Sequence, residues 1–169
     1  MAGGRQSSYS EMKDGAITLR VPRSMISQKA KYALRALVAL CRVPPGESLM
    51  ISEISRERAI PKKFLEQILL ELKRAGIVMS RRGRLGGYVL LRSPDQVTFG
   101  EVLRLIDGPI APLPCLSKIA YRRCTDCADE GTCEIRHVFA RVTIATREVL
   151  DTTTLADAVK SRAEDVLLA

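Results

Sequence analysis

The first sustained periodicity along the chain begins at Ser27. Ala33/Leu34, Leu37 and Leu40/Cys41 recur at helical spacing behind a serine suited to the N-cap, and Pro44-Pro45-Gly46 closes the segment. A short helix is predicted over 51–59, with Ser52 as N-cap and Glu53 in the first turn, where an acid suits the helix dipole. A further helix starts at Pro61, placed at its first helical position. Phe64-Leu65, Ile68-Leu69 and Leu72 form its apolar face, and Gly76 stops it. The period then changes. Ile77-Val78-Met79 reads as a strand, Arg81-Arg82-Gly83-Arg84-Leu85-Gly86-Gly87 as a basic turn, and Tyr88-Val89-Leu90-Leu91 as the return strand. Two tightly joined helices followed by a hairpin make a winged helix-turn-helix.

Thr98 and Glu101 have capping-box spacing, with Val97 and Val102 placed as a hydrophobic staple, so a helix is predicted over 98–106. Asp107-Gly108-Pro109 ends it. The stretch 109–133 has little period. After it, Ile135, Val138/Phe139, Val142, Ala145 and Val149 form a long apolar stripe, interrupted by Asp151-Thr152-Thr153. A last short helix is expected near Thr154, with Asp157 at its third position. The stripe has no evident partner within the domain, and a monomer exposing it would carry a large apolar patch. Two copies are therefore expected to pack these helices antiparallel. The predicted fold is mainly α with a small β-hairpin: a winged helix-turn-helix plus a long C-terminal dimerisation helix. Its parts are a polar N-terminal extension (1–24), the winged domain (25–108), a cysteine-rich loop (109–133) and a dimerisation helix with a C-terminal helix (134–169).

Charge sharpens this picture. Residues 25–92 carry 14 Lys/Arg against 5 Asp/Glu, a net of +9, whereas residues 93–169 carry 9 against 12, a net of −3. A basic module of this kind suits a polyanion, most simply nucleic acid. Aromatic residues make up only 4% of the 169 residues, with no Trp, which argues against a single-strand binder that stacks bases on aromatic rings. No apolar run is long enough to span a bilayer and no secretory leader is evident, so a cytoplasmic protein with no membrane association is expected.

Candidate DNA contacts follow from the elements. Lys62 and Lys63 open the helix that fits a major groove, and Ser52 lies in the helix before it, with Ser55, Arg56 and Arg58 nearby. Arg81, Arg82 and Arg84 crowd like charges into a tight turn, which an anionic partner explains better than folding does. Arginine suits a narrow minor groove. The bland alternative is a solvated hairpin tip. Gly86-Gly87 is expected to set the backbone of the turn. No glycine-rich nucleotide-binding motif accompanies it.

Four of the five cysteines, Cys115, Cys124, Cys127 and Cys133, fall in one short loop. Such a cluster suits metal binding or redox chemistry, and Lys118, Arg122 and Arg123 are expected to favour the thiolates. Three readings remain: an iron–sulfur cluster (2Fe–2S or 4Fe–4S), a structural zinc, or a metal-free thiol switch. His137, the single histidine, is placed at a surface or interface, and Cys41 in the core. No catalytic set is present, so no enzyme is expected. The rivals are a zinc-stapled winged helix that binds protein, and a thiol redox enzyme using Cys124/Cys127.

Together these segments resemble the Rrf-two family of bacterial winged-helix transcription regulators, over about residues 25–158. The resemblance rests on Lys29-Ala30-Lys31-Tyr32-Ala33-Leu34-Arg35-Ala36-Leu37, Ile51-Ser52-Glu53-Ile54-Ser55 and Phe64-Leu65-Glu66-Gln67-Ile68-Leu69. It continues through Arg82-Gly83-Arg84-Leu85-Gly86-Gly87-Tyr88, Gly100-Glu101-Val102 and Thr154-Leu155-Ala156-Asp157. It implies a homodimeric repressor on a near-palindromic double-stranded operator, with 61–74 as recognition helix and Arg82 as the minor-groove arginine. It also implies a cysteine loop responsive to redox, iron–sulfur or nitric-oxide status. Cys127 and Cys133 keep the five-residue spacing of cluster-binding members, while Cys124 and Cys115 do not. The first helix offers Lys29-Ala30-Lys31 where some members place an acidic ligand. Arg136, followed by His137, stands where others place a histidine.

Overall fold

A computed structural model describes residues 26–44, 47–83, 86–125 and 127–160. The expected N-terminal extension and Arg84 of the wing lie outside the described residues.

Helix α1 spans Gln28–Leu40, and Ser27 caps it, its Oγ accepting the Ala30 N–H at 3.0 Å. Its inner face is lined by Ala30, Ala33, Ala36, Leu37, Ala39 and Leu40, all buried. Small side chains at Ala30, Ala33 and Ala36 let the helices over Lys62–Arg74 and Phe99–Asp107 pack against it.

Helix α2 (Ile51–Arg58) starts differently from the sequence expectation. Its N-cap is Met50, and Ser52 sits one residue inside the helix. Glu53 satisfies the start instead, its carboxylate accepting the Met50 N–H at 2.7 Å. The boundary is set by tertiary pairing: Leu49 N–H donates to Tyr88 O at 3.1 Å and Tyr88 N–H to Leu49 O at 2.9 Å, which keeps the approach extended. The turn to the next helix passes through Ala59 at φ 50, a left-handed conformation, and buried Ile60. The Ser55 hydroxyl donates to Ile60 O at 2.7 Å and so holds this turn.

Helix α3 spans Lys62–Arg74, with Pro61 as N-cap rather than first helical residue. Leu65, Ile68, Leu69 and Leu72 bury its inner face. The helix ends in a Schellman motif. Gly76 takes φ 70, its N–H donates to Lys73 O, and the Ile77 N–H donates to Leu72 O, both at 3.0 Å.

Strands β1 (Val78–Arg81) and β2 (Gly87–Leu90) pair antiparallel, with Val78 opposite Leu90 and Arg81 opposite Gly87. Arg81 therefore belongs to a strand, not to the turn. Gly86 serves the turn as expected, its N–H donating to Gly83 O at 2.9 Å, whereas Gly87 acts elsewhere. Gly83 carries the positive φ of 111, while a Cβ on Gly87 would stand 2.5 Å from Leu49 O. Gly87 is needed for the close approach of the segment before α2, and Gly86 for the approach of Arg81 O and Gly83 O.

Helix α4 (Phe99–Asp107) has half of the expected capping box. Thr98 Oγ1 accepts the Glu101 N–H at 3.2 Å, but the Glu101 carboxylate pairs with Arg92. Thr98→Ala is expected to cost about 1 kcal/mol of stability, read as a lowered urea midpoint with unchanged slope. Val97 and Val102 are both buried, as a staple requires. Helix α5 spans Glu134–Thr152, and α6 spans Leu155–Lys160. Thr154 and Asp157 form a reciprocal capping box: Thr154 N–H donates to Asp157 Oδ2 at 2.9 Å and Asp157 N–H to Thr154 Oγ1 at 3.1 Å. The Leu155 N–H donates to Val97 O at 2.9 Å and its side chain is buried, so α6 returns to the winged-helix core.

That core joins Leu37, Ile54, Leu65, Ile68, Leu69, Leu72, Ile77, Val97, Val102 and Leu155. Helix α5 stands outside it. Thr143 is its one buried residue, while Ile135 is 63% exposed, Val138 61% and Val142 44%. Among the described residues no helix is long and apolar enough to cross a membrane.

Candidate nucleic-acid interface and cysteine loop

The α2–α3 turn fixes the direction in which α3 leaves the core, and its first turn presents Lys62 and Lys63 to solvent. Ser52 is exposed in the first turn of α2. The hairpin carries Arg81 at the end of β1 and Arg82 in the turn, both exposed. Ser52, Lys62, Lys63 and Arg82 enter none of the ion pairs or side-chain hydrogen bonds found among the described residues, whereas three cations elsewhere on the domain are matched. Lys29 meets Glu71 at 2.7 Å, Arg92 meets Glu101 and Arg104 meets Asp151 at 2.6 Å. Unmatched cations at a helix N-terminus and a hairpin turn are chemically suited to phosphate and base-edge contacts. Of the expected side chains, Ser55 is spent internally, on the turn.

The cysteine loop leaves α4 through Gly108 at φ 85. A 3-10 turn over Pro114–Leu116 buries Cys115, which is 6% exposed. The loop folds back on this turn, Arg122 N–H donating to Pro114 O at 3.2 Å, and Arg147 of α5 holds it by donating to Leu116 O at 2.7 Å. Arg123 donates to Cys127 O at 3.1 Å and to Ala128 O at 2.6 Å. Tyr121 donates to Glu130 at 2.6 Å, and Glu130 lies 3.4 Å from Arg136. Cys133 is the N-cap of α5, its Sγ accepting the Arg136 N–H at 3.4 Å. Cysteine is not among the usual capping residues, so this role was invisible in the sequence.

None of the five cysteines, all of them among the described residues, is in a disulfide. The four loop cysteines do not form a ready ligand set: among the described residues no three His, Cys, Asp or Glu side chains are grouped to hold a metal ion. The donors suit a soft metal, but Cys115 is packed inside and Cys133 is engaged as a cap. The expected thiolate stabilisation is also reversed at Cys127. Its thiol pKa is raised, first by desolvation and then by the neighbouring Cys133, and Arg123 opposes the rise without overcoming it. Burial pushes the Cys41 thiol up to about 11 against the opposing charge of Arg42, and Cys41 packs against the core as expected. His137 is exposed on α5.

A helix-turn-helix with a β-hairpin wing, bearing unmatched cations on both, defines a DNA-binding regulator of the winged-helix class. Comparison with known proteins sets the class more narrowly: the chain belongs to the Rrf2 family, described as an iron-dependent transcriptional regulator, whose profile matches residues 26–161. An rrf2-like HTH-type regulator of Rhodobacter capsulatus is 52% identical over 136 residues, covering 79% of this chain and 91% of that protein. The HTH-type transcriptional regulator CymR of Bacillus subtilis is 34% identical over 132 residues, covering 78% and 87%. The solved structure of that CymR, the global cysteine regulator of its organism, superposes with a TM-score of 0.68 over 80% of this chain and 95% of that one, at 32% identity. The structure of T. potens IscR gives 0.64 at 26% identity, covering 85% and 92%. The family and these neighbours are transcription regulators, which sets aside the thiol redox enzyme.

Proposed function

We propose that the protein is a homodimeric repressor that binds a near-palindromic operator and whose cysteine loop tunes that binding. The observation that carries the reading is the set of unmatched cations on α3 and the wing, Lys62, Lys63 and Arg82, on a fold whose relatives are HTH-type regulators. Lys62, Lys63 and Ser52 engage the major-groove side, and Arg81, Arg82 and Arg84 the adjacent minor groove. Repression follows from occupancy, since a dimer covering a promoter site excludes polymerase. Action on the chromosome places the protein in the cytoplasm.

Dimerisation is supported by the exposed apolar face of α5. It runs into an apolar groove of about 480 Å³ lined by Ile26, Leu103, Pro109, Ile110, Ala145 and Val149. The antiparallel partner helix covers both and sets the half-sites about one DNA turn apart.

The loop acts as sensor because it is held at both ends by the parts that matter. It leaves α4 at one side, and Cys133 caps α5 at the other. Oxidation or ligation of Cys133 removes or changes the acceptor at the start of α5. The family's description as iron-dependent favours a second form of this reading, in which Cys127 and Cys133, with Cys124 or Cys115, hold an iron–sulfur cluster. A bound cluster supplies a centre reactive toward oxidants and nitric oxide. The dispersed thiols mean that the loop must close to hold it.

The test is selection of binding sites from a random duplex library, followed by salt titration. A site of two-fold symmetry is expected. Lys62→Ala is expected to weaken all sequences alike and to reduce the slope of log affinity against log salt by about one unit. Binding without sequence preference and without symmetry contradicts the reading.

A further inference from the structure

Between the end of α4, the segment after Cys115 and the second half of α5 lies a cavity of about 140 Å³. Its polar lining is Arg104 from α4, Ser117 and Lys118 from the loop, and Arg147 and Asp151 from α5. Three cations thus surround one carboxylate, and Arg104 and Asp151 already pair at 2.6 Å. Lys118 and Arg147 have no carboxylate within ion-pair range among the described residues. Arg147 donates through Nη2 to Leu116 O at 2.7 Å, which fixes its guanidinium and leaves further N–H groups to donate. Ser117 is buried, and its Oγ accepts the Ala120 N–H at 3.0 Å, so the hydroxyl proton remains to be given. An ammonium, a guanidinium and a hydroxyl converging on a cavity of net positive charge are the donor set for an oxyanion.

We propose that this cavity is a binding site for a small oxyanion, the phosphate or carboxylate group of a small metabolite. The cavity is roomy enough for a group of a few heavy atoms. None of the lining residues belongs to α2, α3 or the hairpin, so the site is separate from the DNA-binding elements. At 100° per residue, Arg147 points about 160° away from Ala145 and Val149, so the apolar stripe and the anion site use opposite faces of α5. Because Arg147 grips the carbonyl next to Cys115, an anion held by Lys118 and Arg147 ties the cysteine segment to α5.

The test is calorimetric titration of the full-length reduced protein, in chloride buffer, with inorganic phosphate and separately with succinate. Saturable binding of either is expected, and the anion that binds identifies the group recognised. Binding of both assigns the site to oxyanions in general. Lys118→Ala, an exposed change that removes no ion pair or side-chain hydrogen bond found among the described residues, is expected to weaken binding about tenfold, the effect of losing one charge-assisted hydrogen bond. Arg147→Lys is expected to retain binding better than Arg147→Gln. Lys62→Ala is expected to bind as the unmodified protein does. Failure of both anions to bind at about 20 mM, above the millimolar range of weak specific sites, overturns the proposal. Binding that survives Lys118→Ala and is lost in Lys62→Ala also overturns it, by placing the anion on the DNA surface.

Discussion

Val138→Glu combined with Val142→Glu is expected to yield a folded monomer that no longer holds the full operator. These side chains are already 61% and 44% exposed in the single chain, so the substitution leaves the winged-helix core untouched. Val138 and Val142 lie one helical turn apart on one face, and in the proposed dimer they meet their counterparts across the antiparallel seam. Two uncompensated carboxylates per helix then face an apolar surface, at a cost of several kcal/mol per buried charge. Sedimentation reads the loss of the dimer at micromolar concentration. Operator affinity falls by about 100-fold or more, because two linked half-sites become two independent ones. Unchanged circular dichroism with a halved mass is the expected pair of results. A variant that stays dimeric removes α5 as the seam.

Arg82→Ala carries the second large effect. Arg82 is exposed in the hairpin turn beside Gly83, and it has no ion-pair partner among the described residues. Its loss therefore leaves the fold intact, and its whole consequence is read on DNA. A groove-inserted arginine that reads shape contributes about 1–3 kcal/mol, so operator affinity is expected to fall between about five- and 150-fold. Affinity for unrelated duplex falls less, because there the arginine acts only as one more phosphate contact. Equal losses on both duplexes reduce Arg82 to a phosphate contact, and no loss on either removes the wing from the interface.

The parts of the fold that were legible in the sequence are those whose determinants are local. Ser27, Gly76, Thr98 and the Thr154/Asp157 pair each mark a helix end through groups three or four residues away, and each does so in the structure. The expectations that shifted depend on distant chain. The start of α2 moved from Ser52 to Met50 because Leu49 pairs with Tyr88 of the hairpin. Gly87 is required by Leu49 O, which no inspection of the turn itself reveals. Glu101 left its capping role for Arg92, a partner supplied by the fold. In the cysteine loop, spacing alone showed a cluster of thiols. It did not show that one would be buried, one would cap a helix, and that desolvation would outweigh the nearby arginines at Cys127.

Control of DNA binding by the cysteine loop is read in one affinity measurement made in different states of the same sample. Protein purified without oxygen is analysed for iron and sulfide, and its affinity for the selected operator is measured. The measurement is repeated after oxidation and again after reduction or reconstitution. Affinity is expected to change by at least about fivefold on oxidation, as follows from a coupling of 1 kcal/mol or more, and to return on reversal. Cys127→Ser with Cys133→Ser is expected to abolish the change. An operator affinity that is the same in every state, in a protein whose loop cysteines have demonstrably reacted, contradicts it.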